Sequence, residues 1–168
     1  VLHTLSLHDA LPISPHYSRS SLTHATLTLR DQPLDGWRKI NFTEEELDQA
    51  EVSGDSADPD NDRLPNLLEY ALGLPPKSAD AADRPWPRLE AGHLLLTYTR
   101  AKAATDISLN LDYSTNLAFW EDATGLVEPV ATLDEGDRQR ITVRLAAPAN
   151  SQAAAWLRLR ASRLAPAP

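Results

Sequence analysis

Acidic side chains recur at alternate positions of a short polar segment near the middle of the chain. Asp58, Asp60 and Asp62 fall at positions 1, 3 and 5 of a window that ends at position 12 with Glu69. A calcium loop of the EF-hand kind has this spacing, because alternate side chains of a tight loop present oxygens to one side and a bidentate glutamate completes the set. The pattern therefore predicts a metal site built from oxygen ligands.

The predicted ligands combine side-chain oxygens with one backbone carbonyl. They are Asp58, Asp60, Asp62, Leu64 through its carbonyl oxygen, Asn66 directly or through water, and Glu69. Calcium takes about six to eight oxygen ligands, whereas magnesium keeps more water and fewer protein ligands. Calcium is therefore the cofactor that this set favours.

Two positions of the loop depart from the usual pattern. Arg63 stands at position 6, where glycine normally makes the sharp turn, and a positive φ there costs about 1 kcal/mol. Asn61 at position 4 is a milder change, since asparagine tolerates left-handed geometry. Arg63 is expected to weaken or abolish the site. The alternative is a solvated acidic loop that only caps the following helix.

Short helices are predicted on both sides of the loop. Thr43 and Glu46 form a capping box, which predicts a helix from there to about Glu51. After the loop, apolar residues at three- and four-residue steps predict an amphipathic helix. These residues are Leu64, Leu67, Leu68, Ala71 and Leu72. Pro65 suits the first turn of this helix, and Gly73 suits the position after its last turn.

Beyond residue 90, apolar residues recur at every second position instead of every third or fourth. Alternation of apolar and polar residues predicts half-buried strands. This alternation predicts strands at 107–113, 138–146 and 157–161, and residues 94–99 and 126–133 supply two more. A turn at 134–137 joins the third strand to the fourth as a hairpin. The predicted fold class is mainly β, a small antiparallel β-sandwich preceded by a short helix, the acidic calcium-type loop and a helix.

These signals divide the chain into six segments. We expect an artefact at 1–14, the remnant of an upstream region at 15–36, a helix–loop–helix segment at 37–76, a linker at 77–90, the β-sandwich at 91–164 and a tail at 165–168. Residues 22–29 predict the last strand of the upstream region. Residues 4–13 are similar to the translation of a short-read sequencing adapter, the alternative being a genuine short helix. His8 and Asp9 are therefore set aside as site candidates.

The negative charge of the chain is concentrated around the loop. The net charge is −8, and residues 41–90 alone carry −9, from 13 acidic and 4 basic residues. Such a field repels phosphate backbones, so nucleic acid is not an expected partner. The absence of cysteine excludes thiolate chemistry, and no apolar run reaches the roughly 20 residues that span a bilayer. A signal for export is expected upstream of this segment.

Several stretches resemble one family of extracellular proteins. They are Trp37-Arg38-Lys39-Ile40-Asn41-Phe42, Asp58-Pro59-Asp60-Asn61-Asp62, Leu64-Pro65-Asn66-Leu67-Leu68-Glu69-Tyr70-Ala71-Leu72-Gly73, and strand segments at 96–100, 112–120 and 156–160. Together they are similar to the C-terminal regions of large secreted verrucomicrobial-type proteins, which carry a dockerin-like or thrombospondin type 3-like calcium loop before a terminal β domain. The resemblance covers residues 37–164. It implies a secreted or cell-surface tail module behind upstream domains of the same chain, and it implies no activity.

The sequence shows no arrangement typical of an enzyme active site. Catalysis would need a nucleophile beside a base, or paired carboxylates beside a cleft. The predicted function is a non-catalytic structural or interaction module, whose partners include the upstream domains and a cell-surface polymer or polysaccharide. The alternative is a carbohydrate-binding module, in which Trp86, Trp120 and Trp156 would stack on sugar rings. Arginines at 140, 144, 158 and 160 predict a solvated face or a docking surface for an acidic partner.

Overall fold

The computed structural model describes residues 3–6, 26–29, 32–79, 82–151 and 154–165. The chain divides into two units, residues 1–32 and residues 33–168. In the first unit, β1 (His3–Ser6) pairs antiparallel with β2 (Thr26–Leu29), which lies within the predicted strand 22–29. Residues 4–6 therefore lie in a strand rather than in the alternative short helix. Most of the segments 1–14 and 15–36, and residues 166–168 of the predicted tail, lie outside the described residues.

Four short helices occupy the first part of the second unit. They are α1 (Pro33–Asn41), α2 (Glu44–Leu47), α3 (Ala50–Ser53) and α4 (Asn66–Leu72). The sequence pattern does not predict α1, which begins inside the segment assigned to an upstream remnant. The compact unit starts at Pro33 rather than at the predicted residue 37. Proline suits the first turn of a helix. The pattern nevertheless fails to predict α1, because Gly36 lowers the helix propensity and the apolar repeat is short.

The helical stretch before the loop is interrupted. The predicted capping box is present, because Thr43 Oγ1 accepts a hydrogen bond from Glu46 N at 3.3 Å and Glu46 Oε2 accepts one from Thr43 N at 2.8 Å. The prediction of one helix to about Glu51 is wrong, because Gln49 is extended and separates α2 from α3. By contrast, α4 ends as predicted at Gly73, whose φ is 72°.

The rest of the unit is a β-sandwich, which confirms the predicted fold class. Its strands are β3 (Trp86–Glu90), β4 (His93–Ala101), β5 (Ile107–Ser114), β6 (Glu121–Asp122), β7 (Val127–Asp134), β8 (Arg138–Leu145) and β9 (Trp156–Arg163). One sheet has the strand order β3-β4-β8-β7 and the other β6-β5-β9, and each described pairing is antiparallel. The predicted hairpin joins β7 to β8, with Gly136 at a φ of 89°.

Strand β3 lies in the segment that the sequence assigns to a linker. Its backbone pairs with β4 along its whole length. Its five residues are all exposed, so no alternation of burial marks the strand in the sequence. The residues before it also contact the sandwich, since Asp83 forms ion pairs with Arg138 and Arg140 of β8 at 2.8 and 3.0 Å. The chain between Pro85 and β4 is therefore part of the sandwich, not a linker.

Buried apolar side chains of the described residues form two clusters. The first joins helices to β5 and consists of Leu34, Tyr70, Ala71, Ala104 and Ile107. The second lies between the two sheets and consists of Tyr113, Ala123 and Leu145, with partly buried neighbours such as Leu94 and Leu157. Because burial of apolar surface is the main stabilising term, Tyr70 and Ala71 anchor α4 to the sandwich. Among the described residues, no helix has the length and apolar character needed to cross a membrane.

The arginines on the polar strand faces are ion-paired. On β9, Arg158 and Arg160 both contact the buried carboxylate of Asp112, at 3.0 and 2.9 Å. The hydrogen bonds from Arg160, and those from Arg158, hold the pKa of Asp112 below its usual value. Arg140 and Arg144 of β8 pair with other acids, namely Asp83, Glu135 and Glu128. The hydrogen bonds to Asp112, and also the charge of Asp122 on β6, raise the pKa of Arg160, so two carboxylates offset the charge of these two arginines.

Candidate metal centre

The carboxylates of Asp58, Asp60 and Asp62 come together in the turn between α3 and α4. One oxygen atom of each lies within 4.8 Å of the other two. Asp62 is buried, and Asp58 and Asp60 are half-buried. Three carboxylate oxygens at this spacing could hold a metal ion, since hard cations bind to clustered oxygen ligands.

Two left-handed residues bend the backbone so that these carboxylates meet. Asn61 has a φ of 58° and Arg63 a φ of 76°. Asp58 supports the bend, because its Oδ1 accepts a hydrogen bond from Asp62 N at 3.0 Å and its Oδ2 accepts one from Arg63 N at 2.9 Å. Asp62 Oδ1 accepts another from Leu64 N at 2.7 Å. These hydrogen bonds to charged acceptors offset the cost of the positive φ at Arg63, so the loop forms without glycine at that position.

Glu69 of α4 is the most deeply buried acid of the loop region. Its exposed fraction is 1%, and its Oε2 has no hydrogen-bond partner among the described residues. Burial, and then the nearby carboxylates of Asp60, Asp62 and Asp58, raise the pKa of Glu69 to about 8. Asp60 Oδ2 is also buried with no partner in the described part of the chain, and burial raises the pKa of Asp60. Buried acceptors without donors are costly, so this set of atoms suits a bound cation.

Asn66 connects the loop to the start of α4. Its exposed fraction is 1%, and its Nδ2 donates hydrogen bonds to the carbonyl oxygens of Val52 and Gly54, both at 2.9 Å. Its backbone N donates to the carbonyl oxygen of Ala57 at 2.8 Å. The side-chain Oδ1 is buried and has no partner in the described part of the chain. Asn66 therefore orders the loop through its amide nitrogen and leaves its oxygen open to an ion or a water.

The protein places a cation of its own beside the loop. Nη2 of Arg84 donates a hydrogen bond to the carbonyl oxygen of Asp62, and its Nε lies 3.5 Å from Asp62 Oδ2. The charge of Arg84 also lowers the pKa of Glu69, against the larger effects that raise it. Sequence reasoning misses this residue because Arg84 stands 22 residues after Asp62 in a stretch without periodic pattern.

Two further contacts join the loop and α4 to the rest of the unit. Asp55, three residues before the loop, accepts hydrogen bonds from Arg38 Nη2 of α1 at 2.5 Å and from Arg163 Nε of β9 at 2.7 Å. Thr99 Oγ1 of β4 donates to the carbonyl oxygen of Leu72 at 2.6 Å, in a buried position. The acidic loop therefore lies at a junction between the first helix, α4 and both sheets.

The three tryptophans proposed as a sugar platform do not share one exposed face. Trp86 is 68% exposed on β3, whereas Trp120 and Trp156 are half-buried. Trp86 belongs to the four-stranded sheet and Trp156 to the three-stranded sheet. The guanidinium carbon of Arg158 lies 4.1 Å from the ring centroid of Trp120 and covers one side of that ring. This arrangement does not favour stacking along a sugar chain.

No known protein family matches the chain, and neither a curated protein nor a solved structure shows a significant match. The acidic loop and the residues around it are therefore the features from which a function follows.

Proposed function

We propose that the chain is a non-catalytic structural or interaction module of a secreted protein, in which calcium bound by the acidic loop rigidifies the junction between the helices and the β-sandwich. Asp58, Asp60, Asp62 and Glu69 supply carboxylates, and Leu64 and Asn66 supply neutral oxygens. The proposal agrees with the resemblance of residues 37–164 to C-terminal tail modules. Upstream domains of the same chain are then its covalent partners.

The buried carboxylate of Glu69 is the observation that carries this proposal. An acid with an exposed fraction of 1% is either protonated or paired with a cation, and its Oε2 has no hydrogen-bond partner among the described residues. Glu69 stands at position 12, where a calcium loop places its bidentate ligand. Each of the three loop aspartates is close enough to raise its pKa. A divalent cation would satisfy the four carboxylates at once.

The type of ligand favours calcium over other cations. Each proposed ligand is an oxygen atom, and softer metals such as zinc or copper prefer nitrogen and sulfur. Six candidate ligands also exceed what magnesium usually takes from a protein, because magnesium retains several waters. The role of the ion is then structural, since it would join the loop to α4 where the two are already connected through Asn66.

Calcium titration of the complete chain by calorimetry tests the proposal. We expect binding in the micromolar to millimolar range and a higher melting temperature in calcium than in EDTA, because a ligand that binds only the folded state stabilises it. Asp60→Ala is expected to abolish both effects, since it removes a carboxylate whose buried Oδ2 has no hydrogen-bond partner among the residues that the structure describes.

The matched control is Asp48→Ala, which removes an exposed aspartate outside the loop. This variant should bind calcium as the parent protein does. A parent protein with no heat of binding and no shift in melting temperature would refute the calcium site and leave an acidic loop that only precedes a helix. Equal binding of magnesium would refute the assignment of the metal.

Replacing Arg84 by glutamine is expected to make the protein more dependent on calcium. Without the guanidinium group, repulsion among the loop carboxylates lowers the stability of the metal-free protein by about 1 kcal/mol. The same loss of positive charge raises the calcium affinity severalfold. Calorimetry and melts in EDTA measure both quantities. Arg88→Gln, which removes an exposed arginine paired with Glu90, serves as the control, and a calcium affinity that stays equal in the two variants would contradict the role of Arg84.

A further inference from the structure

Residues 82–85 run beside the acidic loop and lead into the four-stranded sheet; we call them the 82–85 strap. Nη2 of Arg84 donates a hydrogen bond to the carbonyl oxygen of Asp62, and its Nε lies 3.5 Å from Asp62 Oδ2. β3 begins at Trp86, directly after the strap. The strap therefore brings a positive charge of the chain itself to the candidate metal centre.

The backbone of the strap is held on both sides of Arg84. On one side, Asp83 forms ion pairs with Arg138 and Arg140 of β8 at 2.8 and 3.0 Å. Hydrogen bonds from these two arginines, first from Arg140, hold the pKa of Asp83 below its usual value. On the other side, Trp86 pairs with β4. The guanidinium group of Arg84 is therefore able to leave the loop while the strap itself stays in place.

Arg84 neutralises only part of the charge of the loop. It contacts Asp62, whereas Glu69 Oε2 and Asp60 Oδ2 are buried with no hydrogen-bond partner among the described residues. The carboxylate of Asp58 belongs to the same cluster. A calcium ion takes about six to eight oxygen ligands, so a single ion would contact several of these groups at once. The guanidinium group is therefore a partial substitute for the ion.

Calcium and Arg84 need the same carboxylate. Asp62 Oδ1 accepts a hydrogen bond from Leu64 N at 2.7 Å, which leaves Oδ2 as the oxygen more available to an ion. Calcium bound to Oδ2 would lie at most about 6 Å from Nε of Arg84, since its ligand distances are about 2.3–2.6 Å. Asp62 is 7% exposed, so little water is present to screen the repulsion between the two positive charges. Binding of the ion therefore opposes the contact of Arg84 with the loop.

We propose that Arg84 is an internal competitor for the metal centre and that calcium displaces its guanidinium group from Asp62 into solvent. The inference rests on the proposed calcium site and adds the regulation of that site. Without calcium, Arg84 reduces the repulsion among the loop carboxylates and keeps the loop folded. With calcium, the ion takes over this role. Because the ion must break the contact, its affinity is lower than the carboxylates alone would give, in the range of extracellular modules at about 10⁻⁴–10⁻³ M.

The stability of Arg84→Gln in two conditions separates displacement from a general effect of charge. In EDTA the variant should be less stable than the parent protein. In a large excess of calcium the two should be equally stable, because the lost contact is absent from the calcium-bound state. The gain in calcium affinity should then match the loss in the folding equilibrium constant in EDTA, about fivefold for each. Arg88→Gln, at an exposed arginine paired with Glu90, should change neither quantity.

Hydrogen exchange of the Arg84 guanidinium protons, followed by NMR on the complete chain, observes the displacement directly. The spectrum of Arg84→Lys identifies these signals by their absence. We expect calcium to speed their exchange at least about tenfold, because a hydrogen-bonded proton is protected from water. Arg160 is the internal control, since its Nε donates to the buried carboxylate of Asp112 at 2.9 Å and lies outside the loop. Its exchange should be the same with and without calcium.

The two proposals fail in different ways. Calcium binding with the Arg84 protons still protected would overturn the displacement and leave the calcium site standing. A loss of stability in Arg84→Gln that persists in excess calcium would have the same meaning. A parent protein that shows no heat of calcium binding would refute the calcium site itself, and the displacement with it.

Discussion

Replacing Glu69 by glutamine is expected to weaken calcium binding by roughly 100-fold and, in EDTA at alkaline pH, to stabilise the protein. The two effects have one cause. Glu69 is 1% exposed among three aspartates, so without a metal its negative charge is unfavourable in the folded state. Glutamine has the same shape and no charge. It removes that cost and, with it, the ligand at position 12.

The dependence on pH follows from the raised pKa of Glu69, about 8 against a model-compound value of 4.5. Because the folded state holds a proton that the unfolded state releases, the contribution of this group is fully present below pH 4.5 and is lost as the pH rises through 8. In EDTA at pH 9, Glu69→Gln should therefore be more stable than the parent protein by about 2–4 kcal/mol. In calcium the order should reverse, because only the parent protein gains stability from the ion.

Thermal and denaturant unfolding at several pH values, in EDTA and in calcium, measure this behaviour. Glu44→Gln is the matched control, since Glu44 is an exposed acid in the first turn of α2. It should follow the parent protein under both conditions. An unchanged pH profile for Glu69→Gln in EDTA would show that burial of this carboxylate has no energetic consequence and would contradict the metal assignment.

Leu72→Ala is expected to have the largest effect on stability. Leu72 has an exposed fraction of 0%, and truncation of a buried leucine costs about 2–5 kcal/mol through lost burial and the resulting cavity. The residue ends α4, the helix that carries Glu69, and its carbonyl oxygen accepts the buried hydrogen bond from Thr99. Equilibrium unfolding in urea measures the loss. Calcium should recover part of it, since binding to the folded state is linked to stability.

Leu133→Ala provides the comparison for this variant. Leu133 is 59% exposed on β7, so the same truncation should change the free energy of unfolding by less than about 0.5 kcal/mol. Similar losses of unfolding free energy in the two variants would mean that α4 does not pack on the sheet as described. The buried position assigned to Glu69 on that helix would then be contradicted as well.

The features that the sequence predicts correctly depend on contacts within a few residues. The capping box joins Thr43 to Glu46, the left-handed end of α4 is at Gly73, and the acidic cluster spans only residues 58–62. The alternation of apolar residues likewise identifies β5, β8 and β9, because successive side chains of a strand point to opposite faces of the sheet. Such patterns are local, and the amino-acid order is enough to reveal them.

The features that the sequence does not predict depend on distant contacts. β3 is exposed throughout and is a strand because β4 offers it a paired edge. Arg84 reaches Asp62 across 22 residues, and Arg163 reaches Asp55 across 108. The predictions of a linker and of a single helix before the loop are wrong for the same reason. No pattern in the neighbouring residues indicates the strand β3 or the extended backbone at Gln49.

The amino-acid sequence by itself determines that this protein has an acidic loop with calcium-type spacing, a helix after the loop and a series of half-buried strands. Apolar periodicity and helix-capping residues indicate these features within short segments of the chain. Tertiary structure alone decides that Glu69 Oε2 is buried with no hydrogen-bond partner among the described residues, that Arg84 lies beside the loop, and that Arg158 and Arg160 share Asp112. Burial and charge at these positions arise from segments that meet only when α4 and the two sheets pack together, and the pairing of distant residues leaves no regular pattern in the sequence.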